Sequence, residues 1–372
     1  MQPASPAITV AVSPGARHVL RRWALWPSWL LVAALVLLFA AGLTVPPWAE
    51  YLPFALSLVV FGLPHGAIDH LAVPRLLGRK AGITGAVLAV GLLYLVLGGL
   101  YLALWFVAPV AAFALFIAFT WFHWGSGDLY ALAAFVSDRS EYPAGRGQRV
   151  LTLIVRGGLP MLVPLLAFPE TYRAVAESAF GLFAPTGAGT LSWVFEPSFR
   201  LLASAAFALF AVGVLAVGYG GTKKSGTQGA WLVDVAETAL LALYFALVPP
   251  VLAVGLYFCL WHAPRHVARL VLLDGKSADT LEVGRVAPVL VRFAREATPL
   301  TIAALVLLLG FYLALPQTGA APSALLALYL VLISVLTPPH VVVVSFMDVR
   351  QGLWRGSRQP SAVSRNLRSE GS

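Results

Sequence analysis

Residues 51–73 read YLPFALSLVVFGLPHGAIDHLAV, an apolar run whose ionisable side chains, apart from Tyr51 at its start, are His65, Asp69 and His70. A run of about 20 mostly apolar residues is what a helix needs to cross a bilayer. An ionisable group inside such a run is costly and marks a functional position facing a bundle interior. This stretch therefore predicts both a membrane-spanning helix and a polar site within it.

The rest of the chain repeats the pattern. Of 372 residues, 59% are hydrophobic and 11% charged, whereas soluble domains carry roughly a quarter charged residues. Runs of spanning length lie at 23–45, 51–73, 84–107, 109–133, 150–168, 201–220, 231–249, 251–272, 298–316 and 323–347. The expected fold is an all-α polytopic integral membrane bundle of about ten transmembrane helices, with eight to ten compatible with the run lengths. Three regions are expected: a basic segment 1–22, a single transmembrane helical domain 23–348, and a basic disordered tail 349–372. The single cysteine, Cys259, excludes an intramolecular disulfide framework and a multi-cysteine metal centre. The net charge of +9 does not point to nucleic acid, because the basic residues flank the spans.

Those basic residues alternate between junctions. Arg75, Arg79 and Lys80, then Arg139, Arg146 and Arg149, then Lys223 and Lys224, then Lys276, Arg285, Arg292 and Arg295 occupy the even-numbered ones. The positive-inside rule then predicts a multi-pass protein of the cell membrane with both termini cytoplasmic. At 1.5 Å per residue this topology puts His65, His123, His262, His266 and His340 roughly 9–15 Å inside, in one layer.

Each histidine motif carries a functional and a plainer reading. In WHAPRH, His262 and His266 are spaced i and i+4, on one helix face, and can share a metal ion. They can equally be two separately hydrogen-bonded histidines, and Pro264 loosens the helix between them. His65 and Asp69 have the same spacing, so Asp69 can orient a ligand histidine, act as a ligand, or pair with Arg75. Gly62, Pro64 and Gly66 predict an irregular or closely packed helix, tolerable in a membrane only against protein or a cavity. His123 lies between Trp121 and Trp124, as a ligand or within an aromatic belt. His70 and His340 are candidates for supporting the site or lining a substrate pocket. Arg265 and Arg269 are expected to reach headgroups, Asp234 and Glu237 to be interfacial charges, and His18 to be solvated.

The segments FGLPHGAIDH, TWFHWGSGD, YFCLWHAPRH and LTPPHVVVVSF, in this order over about residues 50–348, resemble the Brp/Blh family of membrane β-carotene 15,15′-dioxygenases. The resemblance implies O2-dependent cleavage of the central double bond of β-carotene to two all-trans-retinals. It also implies a nonhaem Fe2+ centre held by four histidines, carried by motif onto His65, His123, His262 and His266, with Asp69 part of the pattern. An apolar substrate taken from the lipid bilayer would need a tunnel, for which Trp121, Phe122, Trp124, Tyr257, Phe258 and Trp261 are candidates. A functional link to a rhodopsin apoprotein also follows from the resemblance.

Two other classes compete. A membrane transporter could use a polar midplane, and a haem-binding electron carrier would pair histidines across helices. An opsin is disfavoured because Lys80, Lys223, Lys224 and Lys276 are all assigned to loops, away from any Schiff-base position.

Overall fold

The computed structural model describes residues 12–78, 83–136, 142–184, 188–225, 228–315 and 321–354. Among these, every regular element is helical. The N-terminal helices α1 (Pro14–Leu20) and α2 (Trp26–Ala40) are joined through a π turn. The opening stretch of the sequence breaks into α3 (Leu52–Ser57), α4 (Gly62–Ala67) and α5 (Asp69–Leu77). Then come α6 (Ile83–Val107), α7 (Pro109–Ala131), α8 (Gly145–Ala167), α9 (Pro169–Gly181), α10 (Pro197–Ser225) and α11 (Gln228–Leu247). The chain continues through α12 (Pro250–Tyr257), α13 (Ala263–Val271), α14 (Gly275–Glu282), α15 (Ala287–Ala314) and α16 (Pro322–Arg350).

Nine helical runs among the described residues are long and apolar enough to cross a membrane, against about ten expected. The difference lies at 251–272. That segment is helical as α12, a π turn Phe258–His262 and α13, but His262, Arg265, His266 and Arg269 make its second half polar. Its polar side chains are all buried, so it is held by protein rather than by lipid. The first helix starts at Pro14, ahead of the expected Trp23, and His18 on it is exposed. The expected basic positions Arg79, Lys80 and Arg139, the first 11 residues and the tail from 355 lie outside the described residues.

The helices sort by enclosure. Over its most apolar stretch α16 is 78% buried, whereas α10 is 11% buried. Leu201, Leu202, Leu209 and Val212 of α10 accordingly turn outward, as an apolar helix bordering lipid does. Small residues let the inner helices approach: a Cβ on Gly125 of α7 would stand 2.3 Å from the Leu153 carbonyl oxygen, and one on Gly157 of α8 would stand 2.0 Å from that of Trp121. Close approach through small residues is the usual way membrane helices gain packing, since burial from lipid supplies no hydrophobic drive.

The break between α3 and α4 sets the site. Phe61 has φ +58°, a conformation that a bulky residue rarely adopts. Gly62 follows it so closely that a Cβ there would meet the Ser57 carbonyl oxygen at 2.2 Å. The irregular helix expected around Gly62 and Pro64 is therefore present, and it is buried in protein.

Candidate metal centre

Five histidines from four parts of the chain meet inside the bundle. His65 comes from α4, His123 from α7, His262 and His266 from the π turn and α13, and His340 from α16. All five are buried, at 1–7% exposure. The His123 ring centre lies 4.7 Å from that of His262, 4.6 Å from His340, 5.7 Å from His266 and 6.3 Å from His65. His65 lies 5.6, 5.3 and 5.2 Å from His262, His266 and His340. His70, by contrast, is half-buried and bonds the Ala67 carbonyl oxygen at 2.9 Å, one turn away from the cluster.

Local backbone aims the rings. Nδ1 of His65 is held by the carbonyl oxygens of Phe61 (3.1 Å) and Gly62, leaving Nε2 for the cluster. His262 ends the π turn, and its ring stacks on that of His266 at 6.2 Å and 13°, with Pro264 between them in sequence. Proline has no N–H to return to the preceding turn, and a single π turn at a functional site is a common way to absorb that. Gly127 on α7 leaves room for the His262 ring, since a Cβ there would stand 3.2 Å from its Cε1.

The nitrogen positions test whether an ion fits. Nε2 of His123 lies 3.0 Å from Nε2 of His262 and 3.2 Å from Nε2 of His340. A neutral imidazole carries one proton, so one ring cannot make a normal hydrogen bond to both neighbours and to nothing else. Nitrogens about 2.0–2.1 Å from one ion and between right and tetrahedral angles apart stand about 2.8–3.4 Å from each other; opposed ones stand about 4 Å apart. The observed spacings are the adjacent kind. Nδ1 of His123 and both ring nitrogens of His266 are buried without a hydrogen-bond partner among the described residues. Nε2 atoms of three imidazoles at these distances, with a partnerless His266 ring beside them, fit a bound cation, and neutral imidazoles suit iron or zinc. They do not fit a haem bracketed between two opposed rings.

Asp69 departs from expectation. The chain breaks at Ile68 between α4 and α5, so Asp69 does not reach His65. Its Oδ2 instead accepts from Nδ1 of His340 at 2.6 Å and from the Tyr94 hydroxyl at 2.6 Å. Arg75, its other expected partner, pairs with Glu296 at 2.7 Å.

A second polar layer lies behind the histidines, and it corrects four expectations. Asp234 and Glu237 are buried rather than interfacial, and Arg265 and Arg269 turn inward rather than to headgroups. Arg156 bridges Asp234 (2.7 Å) and Glu237 (2.9 Å), and Arg265 bonds Glu237 at 3.1 Å. Arg265 also stacks 3.7 Å over Trp261, whose indole N–H donates to Asp128 at 3.1 Å. Arg269 pairs with Asp348 at 2.8 Å. Asp128, Arg156 and Asp348 were not singled out in the sequence; an arginine or acid inside an apolar run was the available signal.

Beside the histidines opens a cavity of about 570 Å³ with almost wholly apolar walls, lined in part by His65, Asp69, His70, His123 and His340. Of the six expected tunnel aromatics only Trp124 and Phe258 border it. Trp121 donates to the Ile154 carbonyl oxygen and packs at the α7–α8 crossing, and Phe122 joins the core. Tyr257 and Trp261 are buried in packing behind the site. The rest of the aromatic wall is supplied by Phe54, Tyr94, Phe113, Phe116 and Tyr172, spread over four helices with no common motif.

Fold and site together define a polytopic helical membrane protein with a multi-histidine centre able to hold a metal ion next to an apolar cavity. The sequence profile of the β-carotene 15,15′-dioxygenase family matches residues 56–348, and the chain belongs to that family. It is 47% identical over 357 residues to the probable β-carotene 15,15′-dioxygenase Blh of Halobacterium salinarum, covering 94% of this chain and 99% of the relative. It is 31% identical over 341 residues to the probable β-carotene 15,15′-dioxygenase Brp of the same species, covering 87% and 90%. A β-carotene 15,15′-dioxygenase of an uncultured marine bacterium is 24% identical over 315 residues, covering 82% and 95%. No solved structure matches the chain at a significant level.

Proposed function

We propose that this protein cleaves the central 15,15′ double bond of β-carotene with O2, giving two molecules of all-trans-retinal. The observation that carries the reading is the convergence of buried imidazoles on the wall of an apolar cavity, in a chain of this family. His65, His123, His262 and His266 would hold a nonhaem Fe2+. When bound there, such an ion supplies O2 chemistry that amino-acid side chains lack.

The chain's own residues do the rest. The apolar wall binds a polyene by excluding water and offers it few polar groups away from the histidine end. Along α16 the wall runs from Leu326 to His340, 14 positions or about 21 Å of helix. A long apolar chain can therefore lie along it and pass the centre. The backbone carbonyls at Phe61 and Gly62 fix the tautomer of His65. The Trp261–Arg265–Glu237–Arg156 layer fixes the π turn that carries His262.

With the protein-enclosed helical segment 251–272 counted as a tenth crossing beside the nine apolar helices, the basic junctions favour a cell-membrane protein with both ends cytoplasmic. A retinal product released into lipid would be available to a rhodopsin apoprotein. Expression in cells that make β-carotene tests the reading: loss of orange colour with retinal accumulating is expected. Colour retained in cells that hold the protein in their membranes, with iron bound, would overturn it.

A further inference from the structure

His340 carries more of the site than the four-histidine set allows for. Its Nδ1 faces Oδ2 of Asp69 at 2.6 Å. A carboxylate accepts only, so Nδ1 bears the proton and Nε2 keeps its lone pair. That lone pair points into the cluster, 3.2 Å from Nε2 of His123. A carboxylate behind a histidine whose other nitrogen faces the ion is the usual arrangement at metal sites, where it fixes the tautomer and raises basicity. Among the five rings only His340 has it; His266 has no partner at either nitrogen.

The position is central as well. The donor atoms of His65, His123 and His340 lie within 4.8 Å of one another, and so do those of Asp69, His266 and His340. His340 is the residue the two sets share. Asp69 is in turn anchored from α6 by the Tyr94 hydroxyl at 2.6 Å, while its Oδ1 is buried without a partner. Among the described residues, the carboxylate is therefore held by these two contacts.

We propose that His340 is itself a nitrogen ligand of the metal, with Asp69 and Tyr94 as positioning residues that present it. The proposal rests on the iron reading above, and its test separates the two. The iron-loaded protein, purified in detergent, is challenged with a chelator, and the iron retained and the iron K-edge absorption spectrum are recorded. In His340→Ala the iron is expected to leave more than 100-fold more readily, with added imidazole restoring both retention and spectrum. In Asp69→Asn and Tyr94→Phe, which act through His340, retention should weaken by about 10–100-fold with the histidine ligation kept. If His340→Ala does not accumulate, His340→Gln takes its place, and a changed edge spectrum is expected there too. An unchanged spectrum in a His340 variant that holds iron overturns the proposal. So does full retention in both Asp69→Asn and Tyr94→Phe. Wild-type protein that binds no iron would instead defeat the iron reading itself.

Discussion

A single glycine shows how tightly the centre is built. Gly127 lies against the His262 ring, and a Cβ there would stand 3.2 Å from Cε1 and 3.4 Å from Nδ1. The ring would have to give by a few tenths of an ångström while its other side faces His123. Gly127→Ala is expected to weaken iron retention by about 10-fold, the low end of what disturbed ligand orientation costs, with little change in membrane yield. Equal retention in a chelator titration would show that the ring has slack. Removing a ligand outright should do more: His262→Ala or His266→Ala is expected to abolish both iron binding and retinal formation while the protein stays in the membrane. Full activity in either variant would remove that histidine from the centre. Much of this was legible at the level of residues, because histidine is rare in apolar runs and its spacing there has few explanations. Asp69 shows the limit. The i,i+4 spacing from His65 assumed one continuous helix, and the break at Ile68 redirects the carboxylate to His340, 271 positions away. Arg265 and Arg269 were misplaced for a related reason: their acids, Glu237 and Asp348, lie on other helices.

At the scale of elements, the crossing of α7 and α8 decides where His123 sits. Gly125 and Gly157 interlock there, and Trp121 anchors the contact through its bond to the Ile154 carbonyl oxygen at 2.8 Å. Adding a methyl at Gly157 places it 2.0 Å from backbone, which no rotamer relieves. Gly157→Ala should cost about 1–3 kcal/mol, as overpacking does, and read as a lower unfolding temperature in detergent; an unchanged temperature would mean that the crossing is looser than drawn. Arg156 on α8 ties the same crossing to α11 through Asp234 and Glu237. The outer helices set the cavity's rim. Gly91 of α6 and Leu300, Ala303 and Leu307 of α15 are exposed yet border the cavity. Ala303→Trp is therefore expected to lower kcat/KM for β-carotene by about 10-fold, roughly 1.4 kcal/mol, with iron content unchanged. Activity equal to wild type would place substrate entry elsewhere. The sequence marked these helices by length and hydropathy, but not which apolar face looks inward, since apolar residues surround both. The segment at 251–272 was legible as helix for the same reason, yet its buried arginines depend on partners that hydropathy cannot supply.

For the whole molecule, the centre acts as a clasp. Its histidines come from α4, α7, the Phe258–His262 turn with α13, and α16, so positions as distant as 65 and 340 must be folded together before the donors exist. An unfolded chain offers no such set. Anything that binds only the folded state stabilises it by RT ln(1 + [L]/Kd), about 2.7 kcal/mol when the free ion stands at 100 times its dissociation constant. Without the ion, the same region holds a buried His266 ring with no hydrogen-bond partner among the described residues, and buried polar groups in that condition are costly. Stripping iron with a chelator should therefore lower the unfolding temperature in detergent, and returning Fe2+ should restore it in a concentration-dependent way. His266→Ala should lose the response to Fe2+, because the clasp no longer closes. Arg156→Met disturbs the polar layer without touching a nitrogen donor, so it should lower the baseline temperature yet keep the response. Identical unfolding of the iron-loaded and stripped protein would mean that the imidazoles are held together by packing alone, and the ion would then contribute nothing to the fold.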